Sequence, residues 1–165
     1  MRRSHHLISG AWLVHAAAWF LPVVSGEPTF PHSLPGREVF RIAASSVWPY
    51  SIDAGQPVTI DTWYDAVLST ISAATTVFFI LGSVWVVWRG SRAVRRASAW
   101  IATAAFAVNA HWYVLAGSDQ GDLRIDYFLW WLSFLSLGLG LFDLSRRPDH
   151  AAWTGGWAVR QPAER

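Results

Sequence analysis

Four long apolar segments, each bounded by charged residues, constrain this chain more than any other feature of its sequence. They cover residues 7–24, 63–88, 99–116 and 127–144. A helix that crosses the hydrocarbon core of a bilayer needs about 20 predominantly apolar residues, at roughly 1.5 Å rise per residue. The sequence therefore predicts an all-α integral membrane four-helix bundle with up-down-up-down topology, forming a single polytopic domain.

Composition also favours a membrane protein. The chain is 53% hydrophobic and only 15% charged, and it contains twelve tryptophans, which concentrate where an apolar region meets water. All 13 basic residues are arginine, a usage that together with the many alanines is typical of a GC-rich bacterial genome. We therefore expect the bacterial cytoplasmic (inner) membrane as its location. The absence of cysteine excludes disulfides, thiolate catalysis and cysteine-bound metals.

The arginine distribution predicts the orientation. With both termini inside, ten arginines lie on inner segments and three on outer ones, and basic residues are retained on the cytoplasmic side. We therefore expect an N-in, C-in chain with an outer loop over residues 25–61 and a cytoplasmic tail over 145–165. One inner cluster predicts contact with anionic lipid of the inner leaflet rather than with nucleic acid. It consists of Arg89, Arg92, Arg95 and Arg96.

The first segment has a second interpretation. Residues 1–26 begin with "MRR", continue with an apolar run and end in "VVSG", an arrangement similar to a signal peptide cleaved after Gly26. Against cleavage, the apolar run exceeds the roughly 7–15 residues of a signal core, and His15 and Pro22 interrupt it. Retention as a helix is the leading interpretation. Cleavage would leave three spans and an outer N-terminus.

The outer loop contains one predicted short helix. In "REVFRIAASSVW", Val39, Ala43 and Val47 recur at helical spacing and form one apolar stripe, which Pro49 ends. We expect an interfacial helix that lies on the outer leaflet or covers the end of the bundle. A docking site for a partner is the alternative. Residues 50–61 are predicted to be loop, with at most one short strand.

Polar side chains within the spans are the candidate functional residues, because ionisable groups at membrane depth are costly. Asp65 is predicted to cap the second helix together with Thr62. Asp126 is predicted as the N-cap of the fourth helix. Asn109 is expected to form a hydrogen bond between helices. His111 lies five residues, or roughly 8 Å, below the outer end of its helix, so we expect it near the outer interface.

Small residues and aromatic residues complete the pattern. Two stripes of small side chains predict close helix packing. The first stripe is Ser69, Ser72, Thr76 and Ser83, and the second is Ser133, Ser136, Gly138 and Gly140. For the first stripe, a polar path lined by these residues is the alternative. Two groups of aromatic residues are assigned to the interfacial belts. The outer group is Tyr127, Trp130 and Trp131, and the inner group is Trp85, Trp88 and Trp100.

Two intramembrane histidines suggest a cofactor. Neutral imidazoles from two helices could bind a b-type haem, and His15 and His111 are the candidates. Measured from the inner boundary, however, the two residues differ in depth by about 6 Å at 1.5 Å per residue. No pair of histidines four residues apart lies in a span, so no metal site is expected.

Several functions remain open on the sequence alone. The leading expectation is a structural or accessory subunit of a membrane assembly, with another membrane protein or a second copy of the chain as partner. The alternative is a haem-bearing component, or a proton or solute route through Asp65, His111 and Asp126. Signatures such as a phosphate-binding loop, HExxH and GxSxG are absent, and no catalytic residue is predicted.

Overall fold

The computed structural model describes residues 2–24, 34–44, 51–53, 56–57, 63–115 and 124–146. These residues form an all-α fold with two short strand pairs, which confirms the predicted fold class at that level. The helices are α1 (Arg2–Phe20), α2 (Gly36–Ala44), α3 (Trp63–Val77), α4 (Ser83–Arg89), α5 (Arg92–Asn109), α6 (His111–Leu115) and α7 (Ile125–Ser145). A π-helical turn, Phe78–Gly82, joins α3 to α4.

The strand pairs are antiparallel, and three of the four strands lie in the predicted outer loop. Strand β1 (Pro22–Val24) pairs with β2 (Leu34–Pro35), and β3 (Ser51–Asp53) pairs with β4 (Gln56–Pro57). The second pair lies within residues 50–61, where the sequence predicted loop with at most one short strand, so the structure has one strand more than expected. The first pair follows the end of α1 at Phe20, so residues 22–24 of the first predicted span are not helical.

Helix α7 lies at the centre of the bundle, between α1 and α5. Gly140 of α7 lies against Ile8 of α1, and Ser133 is hydrogen-bonded to His15 at 2.9 Å. Residue numbers rise along one helix as they fall along the other, so the two helices are antiparallel. The same relation holds on the other side of α7. There Trp131 donates to the Phe106 carbonyl at 2.6 Å, and Arg92 donates to the Ser145 carbonyl at 2.8 Å.

The continuous helix made of α3, the π turn and α4 completes the bundle. It is antiparallel to α5 and α6, because Thr75 accepts a hydrogen bond from Asn109 and Ser72 accepts one from Trp112. It is also antiparallel to α1, because Trp12 donates to Ser83 at 3.1 Å whereas His15, further along α1, stacks on Phe79. Four long helical segments therefore alternate in direction.

The alternation places most of the described arginines at one end of the bundle, which we call the arginine-rich end. The start of α1, the end of α4, the start of α5 and the end of α7 meet there. Its exposed arginines are Arg3, Arg89, Arg92, Arg96 and Arg146. The opposite end carries α2 and the start of α7.

Glycines allow the close approach of α7 to its neighbours. A Cβ added at Gly138 would lie 2.9 Å from Thr103 Oγ1 and 3.3 Å from the Ala99 carbonyl oxygen of α5. A Cβ added at Gly140 would lie 2.7 Å from a side-chain carbon of Ile8 on α1. Small residues therefore serve helix packing along α7, as predicted for this stripe.

Asn109 explains why the third segment, predicted as one helix over 99–116, is divided at Ala110. In an uninterrupted helix the Asn109 carbonyl would accept from the amide of Tyr113. Here it accepts instead from the hydroxyl of Tyr127 at 2.9 Å, and the Tyr113 amide donates to the Ala110 carbonyl. The Asn109 amide group also donates to the Ala105 carbonyl at 2.9 Å, the type of back-bond that competes with helical hydrogen bonding.

Helix α2 covers the end of the bundle opposite the arginine-rich end. Its Ala43 is buried, and Phe40 packs on Trp19 of α1 with ring centroids 5.3 Å apart. The amide of Gly36 donates to the Leu21 carbonyl, and a side chain at Gly36 would collide with the backbone of Ala18. The amphipathic stripe therefore packs against the bundle, although Val47 and Pro49 lie outside the described residues.

Two helical segments in the described part of the chain are long and apolar enough to cross a membrane. They are Ala66–Arg89 and Ile125–Ser145, and only 33% and 44% of their most apolar windows are buried inside the fold. A core helix of a water-soluble protein passes the same length test but is mostly buried. These two helices instead leave much of their apolar surface uncovered.

Candidate functional site

His15 is held between three helical segments by aromatic rings. Its imidazole stacks on Phe79 of the π turn, with ring centroids 3.9 Å apart and planes 10° from parallel. Phe134 of α7 meets the same ring edge-on at 5.6 Å. His15 is only 2% exposed, and both phenylalanines are fully buried. The side chain is therefore fixed in an apolar, tightly packed environment.

The hydrogen bonds around Ser133 define which nitrogen of His15 carries the proton. The Ser133 hydroxyl donates its single hydrogen to the Trp130 carbonyl at 2.6 Å. The same oxygen lies 2.9 Å from His15 Nδ1, and with the hydroxyl hydrogen assigned to the Trp130 carbonyl it accepts there from Nδ1. In the neutral ring Nε2 then carries the lone pair. This atom is buried and has no hydrogen-bond partner among the described residues.

A cavity of about 250 Å³ lies beside His15, between α1 and the π turn. Its walls are apolar and mostly aromatic, with His15 as the ionisable member. The lining residues are Trp12, His15, Ala16, Trp19, Phe20 and Ile80. Trp12, His15 and Trp19 recur at helical spacing on one face of α1, and all three line this cavity.

A second polar cluster lies around Asn109, where α3, α5 and α7 meet. Its Nδ2 donates to Thr75 Oγ1 at 3.0 Å, so the predicted hydrogen bond between helices is present. Trp112 donates to Ser72 at 3.2 Å, and Tyr127 donates to the Asn109 backbone. These polar groups join helices to one another, which agrees with a packing role for the Ser/Thr stripe.

Tyr127 and Asp126 differ from their sequence-based assignments. Tyr127 is only 2% exposed and lies inside the bundle, so its assignment to an interfacial belt is corrected. Helix α7 begins at Ile125 with Arg124 as its N-cap, and Asp126 lies in the first turn. The N-cap prediction for Asp126 is therefore wrong, because the helix starts one residue before it. An acid in the first turn still complements the positive end of the helix dipole.

His111 and His15 belong to separate clusters. His111 begins α6, and its Nδ1 donates to the Val108 carbonyl at 2.7 Å. Its ring packs beside Trp112 at a centroid distance of 4.7 Å, whereas His15 packs on Phe79 and Phe134. The structure does not bring the two imidazoles to one cavity, and the bis-histidine haem stays a prediction.

The proton or solute route also stays a prediction. Asp65 lies in the first turn of α3, and its side chain and Thr62 are outside the described residues. Among the described residues there is no group of three or more His, Cys, Asp or Glu side chains that could hold a metal ion.

Three contacts were not found from the sequence, and two of them lie around His15. Ser133 was assigned to packing, yet its hydroxyl orients His15. No sequence pattern singled out Phe79 of the π turn as a contact of His15. Arg92 was grouped with lipid-binding arginines, yet it donates to the Ser145 carbonyl at the end of α7, where a cation complements the helix dipole. A single amino-acid sequence does not indicate which residues from distant segments contact one another.

Comparison of the chain with protein families, with curated protein sequences and with solved structures finds no match in any of the three.

Proposed function

We propose that this chain is a bacterial inner-membrane protein that crosses the bilayer four times, with both termini inside, and serves as a structural or accessory subunit of a membrane assembly. One observation carries the proposal, which is the apolar surface of the bundle. This surface is rich in large apolar side chains, and the interior combines an apolar core with buried hydroxyl, amide and imidazole groups.

The exposed apolar surface extends over the four long helical segments. Large apolar residues are exposed on each of them, including Leu13, Leu81, Trp100 and Leu139. Beside the apolar core around Phe79, Phe134 and Leu137, the interior holds ten of the buried polar residues: Ser4, His15, Ser69, Ser72, Thr76, Ser83, Ser98, Asn109, Ser133 and Ser145. In water, this arrangement would expose apolar surface while enclosing polar groups that water could solvate. In a bilayer it is favourable, because the surface meets lipid tails and the polar groups bond between helices.

Charge placement supports the proposed orientation. The arginine-rich end gathers basic residues from four helix ends, and arginine is retained on the cytoplasmic side. Trp85, Trp88 and Trp100 are exposed towards this end and match an inner aromatic belt. Exposed Arg89 and Arg96 support the predicted contact with anionic lipid.

Packing of α1 supports its retention over cleavage as a signal peptide. Ile8, Ala11, His15 and Ala18 are buried, and α1 contacts α7 along its length. Removal of residues 1–26 would expose the polar face of α7 around Ser133 to lipid. A three-span chain would therefore lose one of the two helices that flank its central helix.

Cysteine labelling tests the topology, and the chain offers a background free of cysteine. We expect Ser118→Cys, in the predicted outer segment between the third and fourth spans, to react with a membrane-impermeant maleimide in intact spheroplasts. Ala93→Cys, exposed beside the arginine-rich end, should react only in inverted vesicles. Labelling of both sites from the same side would overturn the four-span topology, and exchange of the two patterns would overturn the orientation.

Site-specific photo-crosslinking tests the accessory role. Trp88 is 79% exposed at the arginine-rich end, so a benzophenone side chain at this position should form one discrete adduct with a different membrane protein in native membranes. The same probe at Leu13, which is also strongly exposed, identifies adducts that arise from random lipid-phase encounters. An adduct with a second copy of this chain, or no adduct, would contradict the accessory role.

A further inference from the structure

One face of α5 carries a row of exposed side chains at the arginine-rich end. Arg92, Arg96 and Trp100 follow one another at intervals of four residues, a spacing that places side chains on one helical face. All three are exposed, Trp100 by 59%. The row therefore consists of two cations near the end of the bundle and an aromatic ring about one turn beyond Arg96.

Contacts at both ends of this row place it beside α7. Arg92 Nε donates to the Ser145 carbonyl at 2.8 Å, so its guanidinium lies against the peptide that precedes Arg146. Trp100 packs edge-on against Phe142 of α7, with ring centroids 5.0 Å apart and planes at 88°. Arg146 is exposed at the end of α7. We call this surface, where three cations adjoin an aromatic pair, the α5–α7 seam.

The positive charge of the α5–α7 seam is not neutralised within the described part of the chain. No ion pair joins Arg92, Arg96 or Arg146 to a carboxylate among the described residues. The acidic side chain that the structure describes at this end is Asp143, which is half-buried. Three arginines beside one carboxylate leave a positive surplus, which complements an anionic ligand.

The chemistry of the α5–α7 seam matches a phospholipid head group. A guanidinium can donate two parallel hydrogen bonds to one phosphate, and the terminal nitrogens of Arg92 stay available because Nε is the atom that bonds to Ser145. Basic pockets between membrane helices on the cytoplasmic side bind head groups of the cardiolipin type. Trp100 and Phe142 lie further from the end of the bundle than the cations, where the acyl chains of such a lipid begin.

We propose that the α5–α7 seam binds one phospholipid with two phosphates, the chemistry of cardiolipin. Arg92, Arg96 and Arg146 hold the phosphates, and the acyl chains pack against Trp100 and Phe142. The inference rests on the proposed membrane location with the arginine-rich end inside. It narrows the predicted lipid contact from the arginines around one hairpin to a site between two helices, where the bound lipid joins α5 to the central helix.

Native mass spectrometry of the purified full chain, released from micelles of a neutral detergent, tests the proposal. We expect tetraoleoyl cardiolipin to bind saturably, with one molecule per chain. It should bind about tenfold more tightly than dioleoyl phosphatidylglycerol, whose single phosphate accepts fewer charge-assisted hydrogen bonds. Millimolar inorganic phosphate should not displace the lipid, because it makes no contact with the aromatic pair. Displacement would instead identify a site for free phosphate and refute the lipid proposal.

Arg96→Gln and Arg3→Gln form a matched pair for the head group. Each removes one exposed positive charge from the arginine-rich end, but Arg3 belongs to α1, on the other side of α7. Arg96→Gln should weaken cardiolipin binding about tenfold through the loss of charge-assisted hydrogen bonds. Arg3→Gln should change it by less than about twofold, since it removes only general charge, which salt screens.

Trp100→Ala and Trp85→Ala form a matched pair for the acyl chains. The two tryptophans are 59% and 58% exposed, and Trp85 lies on α4, outside the α5–α7 seam. Trp100→Ala should weaken cardiolipin binding about fivefold through the loss of apolar contact. Trp85→Ala should leave it unchanged.

The proposal is wrong if no saturable binding occurs, if the two lipids bind equally, or if the two members of either matched pair weaken binding equally. All four substituted side chains are exposed, and thermal unfolding shows whether each variant is folded. Because binding is measured on the purified chain in detergent, its failure leaves the labelling and crosslinking tests of the proposed function unaffected.

Discussion

Replacement of Gly138 by leucine is expected to lower the free energy of unfolding by about 3 kcal/mol, the upper part of the range for overpacked cores. Even the Cβ at this position would lie 2.9 Å from Thr103 Oγ1 and 3.3 Å from the Ala99 carbonyl oxygen. The backbone of α5 cannot yield as a flexible side chain does. Because α7 is the central helix, its displacement from α5 disturbs the whole bundle.

Gly10 provides the matched control for this experiment. It also lies within a helix, yet a Cβ there would meet nothing within 4 Å. Gly10→Leu should therefore leave stability unchanged or raise it by up to about 1 kcal/mol through helix propensity. Unfolding of both variants by titration with a denaturing detergent measures the difference. Equal destabilisation by the two substitutions would show that α7 does not pack on α5 through Gly138.

Much of the fold could be predicted from the sequence because the relevant signals are local. Apolar segments of sufficient length indicated the four long helical segments, and helical spacing indicated the stripe that α2 packs against the bundle. The helical spacing of Trp12, His15 and Trp19 likewise puts them on one face of α1, which is the face that lines the cavity. Each of these properties depends on residues within a few turns of one another.

The remainder depends on contacts between distant segments. Nothing near His15 indicates that Ser133, 118 positions away, accepts its hydrogen bond. The break at Ala110 likewise requires the Tyr127 hydroxyl, which reaches the Asn109 carbonyl from another helix. Tyr127 was assigned to the interface for the same reason, since an aromatic residue near the start of an apolar segment fits a belt until its partner is known.

The buried polar groups and small residues explain how the helices are held together. In a bilayer, removal of apolar surface from water gives little association between helices, because lipid tails are as apolar as leucine. Close packing at Gly138 and Gly140 and hydrogen bonds such as Asn109 to Thr75 then stabilise the bundle. His15 Nδ1 follows this pattern through its bond to Ser133.

A charge placed on the exposed surface at mid-span should separate a membrane protein from a water-soluble one. Val77 lies in the middle of the Ala66–Arg89 helix and is 45% exposed. In a bilayer, Val77→Asp should cost about 3 kcal/mol, since aspartate at the centre of a spanning helix is unfavourable by that order. On a surface that faces water, the same substitution would change stability by less than about 0.5 kcal/mol.

Val114→Asp is the matched control for depth. Val114 is 72% exposed and lies in α6, at the end of the bundle opposite the arginine-rich end, where a carboxylate can reach the headgroup region. We expect this variant to accumulate in the membrane fraction at the level of the unmodified chain, whereas Val77→Asp should be strongly depleted there. Equal tolerance of both substitutions would show that Val77 faces water, which would contradict the bilayer as the solvent for this bundle.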